Sequence, residues 1–292
     1  NVILHNSMEL LSMYHIASET GLHTNRIFDA DLWIVSPGIP KSKEIIQKAK
    51  KYKIPIVGEI EFASWFTESK IIAVTGSNGK TTTASIIFEM LKNNKINPVL
   101  GGNIGIPFSD RVLEEIKKPD MKYVYVLECS SFQMEFIKHF KPYIALYTNI
   151  TEDHLDRHNT MKEYIKMKMK MCNNIKQNDD GYSVDNNIII YNADDPILKD
   201  CFIKKSKNHQ LFSLKKDTTL FYLKNEKIYS PSGNILFAIK KLKTPGNHNL
   251  YNFLAAATCS HLMGISENHI KNVMEKFRGI EHRIEYVKTI NK

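Results

Sequence analysis

The chain has 292 residues, with 40 lysines and arginines against 31 aspartates and glutamates, which leaves a formal charge of +9 at neutral pH. Apolar residues make up 42% of it, so a sizeable core can form, and the glycines and prolines are too few for a collagen-like, mucin-like or disordered chain. At roughly 150 residues per domain, the length allows about two domains. No apolar run reaches the roughly 18 residues of a membrane-spanning helix, so we expect no membrane association.

Lysine dominates the basic residues, and only five arginines occur: Arg26, Arg111, Arg157, Arg278 and Arg283. Genome composition can produce such a bias. The lysines of residues 48–53 lie in a helical pattern, which favours a solvated helix face over a nucleic-acid-binding patch. The four cysteines are widely spaced and form no CxxC pair, which indicates free thiols in the reducing cytoplasm.

The first 67 residues are predicted to form a small α/β domain. Strands are expected at residues 2–4, 32–35 and 54–57, and helices at residues 43–52 and 59–66. We place the domain boundary between residues 67 and 68.

From residue 70 the alternation of strands and helices is stronger. The predicted strands are residues 71–75, 123–127, 143–147 and 188–191, and the segment 209–240 favours short antiparallel strands. The predicted helices are residues 81–93, 131–139, 160–175, 250–262 and 267–277. This order predicts an α/β fold with a mostly parallel sheet that is flanked by helices, and a small antiparallel sheet.

A Gly-rich segment, Thr75-Gly76-Ser77-Asn78-Gly79-Lys80-Thr81-Thr82, lies between a predicted strand and a predicted helix, which is the context of a phosphate loop. Glycines allow backbone N–H groups to converge on phosphate oxygens, and the helix N-terminus favours an anion. Lys80 would reach the β- and γ-phosphates, and the Thr81 hydroxyl would ligate Mg²⁺. The loop is a shorter variant of the common pattern, which has a glycine where this chain has Val74. An ordinary glycine turn is the alternative.

Two further candidates follow predicted buried strands. Glu128 is placed to hold Mg²⁺ directly or through water, although a loop carboxylate or a helix cap is the alternative. Residues 149–158 contain two histidines, several carboxylates and Arg157. Within them, His154 could ligate a divalent ion or contact an anionic substrate, although a histidine in a polar loop is more often solvated.

One lysine falls on an apolar helix face. At helical spacing Lys168 shares its face with Met161, Tyr164, Ile165, Met171, Cys172 and Ile175. Burial disfavours the ammonium form, and the neutral amine could accept CO₂ to become a carbamate, which is a carboxylate-like metal ligand. A lysine that extends its amine to solvent is the alternative.

The motifs together resemble the muramyl (Mur) ligases along nearly the whole chain. The segments that carry the resemblance are the Gly-rich segment, SPGIP at 36–40, GGNIG at 101–105, LECSSFQ at 127–133, residues 149–158, 192–196, 245–249 and 279–283. The Gly-rich segment alone identifies only the superfamily, which includes folylpolyglutamate synthase. The SPGIP, GGNIG, SSFQ and TEDHLDRH segments together point to the member that adds D-glutamate.

The resemblance implies an ATP-dependent ligase of peptidoglycan precursor synthesis, which serves cell-wall biogenesis, cell shape and cell division. ATP would phosphorylate the carboxylate of UDP-N-acetylmuramoyl-L-alanine, and the amine of D-glutamate would attack the acyl phosphate. A partial Rossmann-like domain for the UDP substrate would occupy residues 1–67, and a P-loop-type central ATPase domain residues 68–292. The family's C-terminal domain, which binds the incoming amino acid, is expected to be absent. We therefore expect the chain to bind Mg²⁺-nucleotide without forming the amide bond alone, as a cytoplasmic monomer.

The resemblance also implies roles for particular residues. The catalytic residues would be Lys80, Glu128, His154 and Lys168. Asn103 and His154 would contact the UDP-sugar. Thr81 would hold one Mg²⁺, and Glu128, His154 and carbamylated Lys168 a second. ATP would be contacted by Gly76, Ser77, Asn78, Gly79, Lys80, Thr81, Thr82, Asn252 and Arg283.

Three other functions stay open at this point. A ligase of the same superfamily that adds another amino acid would need a different acceptor substrate. A P-loop NTPase or kinase would act without any UDP-sugar and has no use for Lys168. A nucleotide-binding module would have no catalytic activity.

Overall fold

The computed structural model describes residues 2–92, 96–176, 185–202 and 209–280. The helices are α1 Val2–Met13, α2 Glu44–Lys51, α3 Glu59–Ser64, α4 Lys80–Leu91, α5 Phe108–Lys117, α6 Leu155–His158, α7 Met161–Met169, α8 Pro196–Phe202, α9 Asn247–Leu262 and α10 Glu267–Lys276. The strands are β1 Trp33–Val35, β2 Ile56–Gly58, β3 Lys70–Thr75, β4 Asn97–Gly102, β5 Tyr123–Glu128, β6 Ile144–Tyr147, β7 Ile188–Asn192, β8 His209–Phe212, β9 Tyr222–Lys224, β10 Lys227–Tyr229 and β11 Ile235–Ala238. Within these ranges no helix is long and apolar enough to cross a membrane.

A parallel sheet organises the larger part of the chain. Among the described residues it has six strands in the order β4-β5-β3-β6-β7-β8, and every neighbouring pair is parallel. Parallel pairs need crossover connections, so helices cover both faces and both faces are apolar. In β3, Ile72 and Val74 face the core that contains α4 and α9, whereas Ile71 and Ala73 face the core that contains α5 and α7. The predicted parallel α/β architecture is confirmed.

The predicted small antiparallel sheet is confirmed, but it begins later in the chain than predicted. In the described chain this sheet has three antiparallel strands in the order β11-β10-β9. The strand β8 instead joins the parallel sheet, where His209 pairs with Ile189 of β7. The prediction of antiparallel pairing was therefore wrong for β8. The reason is α8, a short helix that begins at Pro196 and that the sequence pattern missed. A helical crossover after β7 returns the chain parallel to it.

The N-terminal part contains a smaller parallel pair. Trp33 of β1 pairs with Ile56 of β2, and α2 connects the two strands, as predicted. The strand predicted at residues 2–4 was wrong, because these residues begin α1. A short apolar run has no periodicity of its own and fits a helix as well as a strand.

The helix predicted at residues 131–139 was also wrong, and the segment forms turns. Its backbone groups are satisfied by distant side chains. The Glu61 carboxylate is fully buried and accepts hydrogen bonds from the N–H groups of Lys138, His139 and Phe140 at 2.9 Å. Lys170 Nζ donates to the carbonyls of residues 134 and 135 at 3.1 and 2.8 Å. Backbone groups held in this way do not need helical partners.

Candidate active site

The Gly-rich loop, residues 76–79, lies where β3 ends and α4 begins, at the carboxyl edge of the parallel sheet. Ligands of parallel α/β sheets bind at this edge. Gly76 has φ +154° and Gly79 has φ +80°, and a Cβ at either position would overlap a neighbouring side chain, that of Thr148 or Asn252. Both positions therefore require glycine, because any larger residue would bring a Cβ into contact with these side chains.

We expect Gly79→Ala to weaken nucleotide binding by about tenfold or more and to lower the melting temperature. The added Cβ meets Asn252 Oδ1, so the Asn252 side chain must shift away from its hydrogen bond with Thr83 Oγ1, in addition to the cost of about 1 kcal/mol for a left-handed alanine. Gly233→Ala is the matched control, because Gly233 has the same φ of +80° with no atom within 4 Å of the added Cβ. Nucleotide titration and thermal unfolding of both variants test this, and equal effects would contradict it.

The loop that follows β6 holds the Gly-rich loop in place. Asn149 and Asn78 exchange two hydrogen bonds of 2.9 Å, from the Asn78 N–H to Asn149 Oδ1 and from Asn149 Nδ2 to the Asn78 carbonyl. Thr148 Oγ1 donates to the same carbonyl at 2.6 Å, and Ser77 Oγ donates to the Thr151 carbonyl at 2.9 Å. These contacts give the Gly-rich loop its shape without a ligand.

Glu128 ends β5 beside the first turn of α4 and is 3% exposed. The Thr81 hydroxyl donates to its Oε2 at 2.7 Å, and Asn103 Nδ2 donates to its Oε1 at 2.9 Å. The structure thus brings together three residues that the sequence singled out from separate segments. The hydroxyl and the carboxylate are oxygen donors of the kind that Mg²⁺ prefers.

Lys168 is 2% exposed, so the alternative of a solvent-exposed amine is wrong. Its Nζ donates to the Gly76 carbonyl at 2.7 Å and lies 4.6 Å from the centre of the Tyr164 ring. Burial, and then the like charge of Lys80, lower the pKa of Lys168 to about 7. The Tyr164 hydroxyl is 2.9 Å from Ser77 Oγ. The predicted apolar face of α7 is therefore confirmed, and it packs Lys168 against the Gly-rich loop.

The lowered pKa of Lys168 makes stability depend on pH. Between about pH 7 and 10.5 the folded state binds fewer protons at Lys168 than the unfolded state, so stability rises with pH. Relative to Lys168→Met, the free energy of unfolding of the wild type should rise by up to about 1.4 kcal/mol per pH unit in this interval. Denaturant titrations in CO₂-free buffer measure the difference, and a constant difference would contradict the burial of the ammonium.

His154 lies in an exposed loop immediately before α6. Its side chain is 49% exposed, and its backbone has φ +53° where α6 begins. Its ring is 4.9 Å from that of Phe132, and Nε2 is 3.4 Å from Asp153 Oδ2. Within the described residues it makes no hydrogen bond to Glu128 or Thr81, and no group of three or more His, Cys, Asp or Glu side chains is arranged to hold a metal. The binding of one Mg²⁺ by Thr81, and of a second by Glu128, His154 and carbamylated Lys168, stays a prediction.

A cavity of about 520 Å³ opens beside the Gly-rich loop. This volume suits a ligand of nucleotide size. Lys80 does not line this cavity, since its Nζ donates to the Ser77 carbonyl of the Gly-rich loop at 2.8 Å. Four of the residues predicted to contact ATP line the cavity, namely Asn78, Gly79, Thr82 and Asn252. Arg283 lies outside the described residues.

Further polar residues line the same cavity and were not predicted as site residues: Thr148, Asn149, Asn192, Thr244, His248, Asn249 and Tyr251. Three of them lie in polar clusters that the sequence shows at residues 192–196 and 245–249, namely Asn192 at the end of β7 and His248 and Asn249 in the first turn of α9, and Asn149 begins the segment 149–158. Each cluster alone is typical of an ordinary turn. The fold brings both to one cavity.

The fold and the cavity define an α/β protein with a candidate small-molecule site at the carboxyl edge of a parallel sheet. Residues 74–260 match the Mur ligase middle domain, and the chain belongs to the Mur ligase family. The resemblance seen in the motifs is confirmed.

The chain is similar to two ligases named UDP-N-acetylmuramoylalanine--D-glutamate ligase. It is 41% identical over 290 residues to that of Christiangramia forsetii, which covers 97% of this chain and 62% of the relative. It is 39% identical over 288 residues to that of Bacteroides thetaiotaomicron, which covers 96% of this chain and 61% of the relative. The chain thus spans about three fifths of the length of these relatives.

Solved structures show the fold at lower identity. The UDP-N-acetylmuramate:L-alanyl-gamma-D-glutamyl-meso-diaminopimelate ligase from Neisseria meningitides superposes with a TM-score of 0.64 at 15% identity, over 94% of this chain and 87% of that one. A UDP-N-acetylmuramoyl-L-alanyl-D-glutamate--2,6-diaminopimelate ligase superposes with a TM-score of 0.58 at 18% identity, over 85% and 60% of the two chains.

Proposed function

We propose that the protein uses ATP to add D-glutamate to UDP-N-acetylmuramoyl-L-alanine. The observation that carries this proposal is the 41% identity, over 97% of this chain, to a ligase named for that reaction. We propose that the two domains bind different substrates: residues 1–67 bind the UDP substrate, and residues 68–292 bind ATP. The separate sheets formed by β1–β2 and β3–β8 support this division.

The residues at the edge of the sheet fit a bound Mg²⁺-nucleotide. Gly76 and Gly79 pack so closely against Thr148 and Asn252 that no Cβ fits, which fixes the shape of the loop, and the cavity beside them has nucleotide size. Thr81 and Glu128 would hold Mg²⁺, which supplies charge neutralisation while the γ-phosphoryl group is transferred. Lys80, whose Nζ donates to the Ser77 carbonyl on the loop, would bind the phosphates, and Asn103 keeps the Glu128 carboxylate oriented.

We also propose that Lys168 is carbamylated in the active protein. Its amine is buried, and a pKa of about 7 leaves much of it neutral near pH 7. The neutral amine attacks CO₂, a C–N bond forms while one C–O π bond of CO₂ opens onto its oxygen, and one proton leaves the nitrogen to solvent, so the neutral amine becomes an anionic carbamate. Starting from the ammonium form, a second proton is lost to solvent before the attack. The charges of Lys80 and Glu128 both act on the Lys168 amine. The carbamate would therefore lie near Lys80 and would add an oxygen ligand for Mg²⁺ beside Glu128.

Two further residues, His154 and Asn103, are proposed to bind the UDP-sugar. The His154 side chain is exposed, and Asn103 follows β4 and donates to Glu128. An imidazole and an amide can both donate hydrogen bonds to the oxygens of a phosphorylated sugar. We assign these two residues to the UDP-sugar.

Product formation from radiolabelled D-glutamate, with and without UDP-N-acetylmuramoyl-L-alanine, tests the proposed function in the full-length protein. We expect ADP release to require both substrates. Other amino acids and a folate acceptor serve as controls, because their use would indicate another ligase of the superfamily. ATP hydrolysis that is independent of the UDP-sugar would indicate an NTPase and would refute the proposal.

A further inference from the structure

Arg157 is one of five arginines in a lysine-rich chain, and its side chain is only 18% exposed. Its Nε and Nη2 donate to the two carboxylate oxygens of Glu135, each at 3.3 Å. Its Nη1 and Nη2 donate to the carbonyls of Gly38 and Pro37 at 3.2 and 3.3 Å. A guanidinium can make this set of bonds because its donors form a rigid fork, whereas a lysine has a single ammonium.

This cluster, which we name the Arg157 clasp, joins distant parts of the chain. Pro37 and Gly38 follow β1 in the N-terminal part, and the Lys41 N–H from the same loop donates to Glu135 Oε2 at 3.3 Å. Glu135 lies in the turns after β5, and Arg157 lies in α6. The clasp therefore connects the proposed UDP-substrate region with the central sheet.

The clasp also bears on His154. The Arg157 N–H donates to the His154 carbonyl at 3.1 Å. The Phe132 ring contacts both side chains, and its centre lies 5.1 Å from the Arg157 guanidinium carbon and 4.9 Å from the His154 ring centre. Because His154 has φ +53°, which L-residues rarely adopt, its backbone needs support from its neighbours.

We propose that the Arg157 clasp fixes the start of α6, and with it His154, relative to the loop at residues 37–41, so that the imidazole meets the UDP-sugar in a fixed place. This inference rests on the proposed function, in which His154 contacts the UDP-sugar. Arg157 acts here as a positioning residue, because its donors are directed at Glu135 and at two backbone carbonyls. A clasp that only stabilised the fold would change the melting temperature and leave substrate recognition unaltered.

Glu135→Gln and Arg157→Lys test the inference in the full-length protein. Each keeps the approximate size of the side chain and removes the two-pronged ionic contact. We expect the KM for UDP-N-acetylmuramoyl-L-alanine to rise by about tenfold in both variants, since small misplacements of a binding group have effects of this size or larger. The KM for ATP should stay within about twofold, because the clasp makes no hydrogen bond to the Gly-rich loop in the described chain.

Asp185→Asn is the matched control, because it removes a carboxylate charge from an exposed ion pair with Lys141 at 2.8 Å. It should change neither KM. Equal changes in both KM values for Glu135→Gln, or a lower melting temperature with unchanged KM values, would overturn the inference.

A second measurement does not depend on the reaction. The imidazole NMR signal of His154 should shift in Glu135→Gln and stay in place in Asp185→Asn, and an unshifted signal in both would refute the positioning role. Failure of the proposed function looks different, because the wild type itself would then show no ligation that depends on the UDP-sugar.

Discussion

Lys168→Met is expected to reduce the rate of ligation by about a thousandfold, the scale of losing one preorganised charged group in an active site. Methionine has nearly the length of lysine and suits a position that is 2% exposed, so the fold should persist. The variant cannot form a carbamate. Single-turnover formation of the amide product measures the effect, and circular dichroism checks the fold.

Lys166→Met is the matched control on the same helix, because the Lys166 side chain is 66% exposed and lies 3.7 Å from Glu163. It should retain nearly full activity. The carbamate also predicts that activity falls in CO₂-depleted buffer and returns when bicarbonate is added. Retained activity in Lys168→Met, together with a wild type that is insensitive to bicarbonate, would refute the carbamate.

Lys80→Met is expected to lower kcat by about a thousandfold, because it removes the positive charge that the Gly-rich loop offers to the transferred phosphoryl group. Lys80 begins α4, and its Nζ lies 2.8 Å from the Ser77 carbonyl. Steady-state ligation kinetics measure kcat, and titration with a nucleotide measures binding separately.

Lys92→Met provides the control at the other end of the same helix. Lys92 follows α4 and pairs with Glu89 at 2.6 Å on the surface, so its loss should leave kcat unchanged. If Lys80→Met retains kcat within about tenfold, the assignment of the phosphate-binding lysine is wrong.

Local patterns in the sequence were sufficient for much of the fold. Continuous apolar runs predicted the buried strands β3, β5, β6 and β7, because a strand covered on both faces needs apolar residues throughout. Helical spacing predicted the buried face of α7, which includes Lys168. These features depend on residues within a few positions of each other.

Other features depend on contacts across long separations in the sequence. Residues 131–139 have a helical pattern but form turns, because the Glu61 carboxylate, more than seventy residues earlier, binds their N–H groups. Residues 131–139 themselves carry no signal of this contact. The difference at β8 has a local cause, since the short helix α8 that precedes it was missed and returns the chain into the parallel sheet.

For the site, the sequence by itself determined the chemical groups: the glycines and Lys80 of the Gly-rich segment, Glu128 after a buried strand, and Lys168 on an apolar helix face. Only the tertiary structure decided which groups meet. It pairs Thr81 with Glu128 at 2.7 Å, places Lys168 Nζ at 2.7 Å from the Gly76 carbonyl, and leaves the His154 side chain half exposed. The physical reason is that chemical type is a property of single residues, whereas proximity arises when parallel strands bring their carboxyl ends to one edge of a sheet.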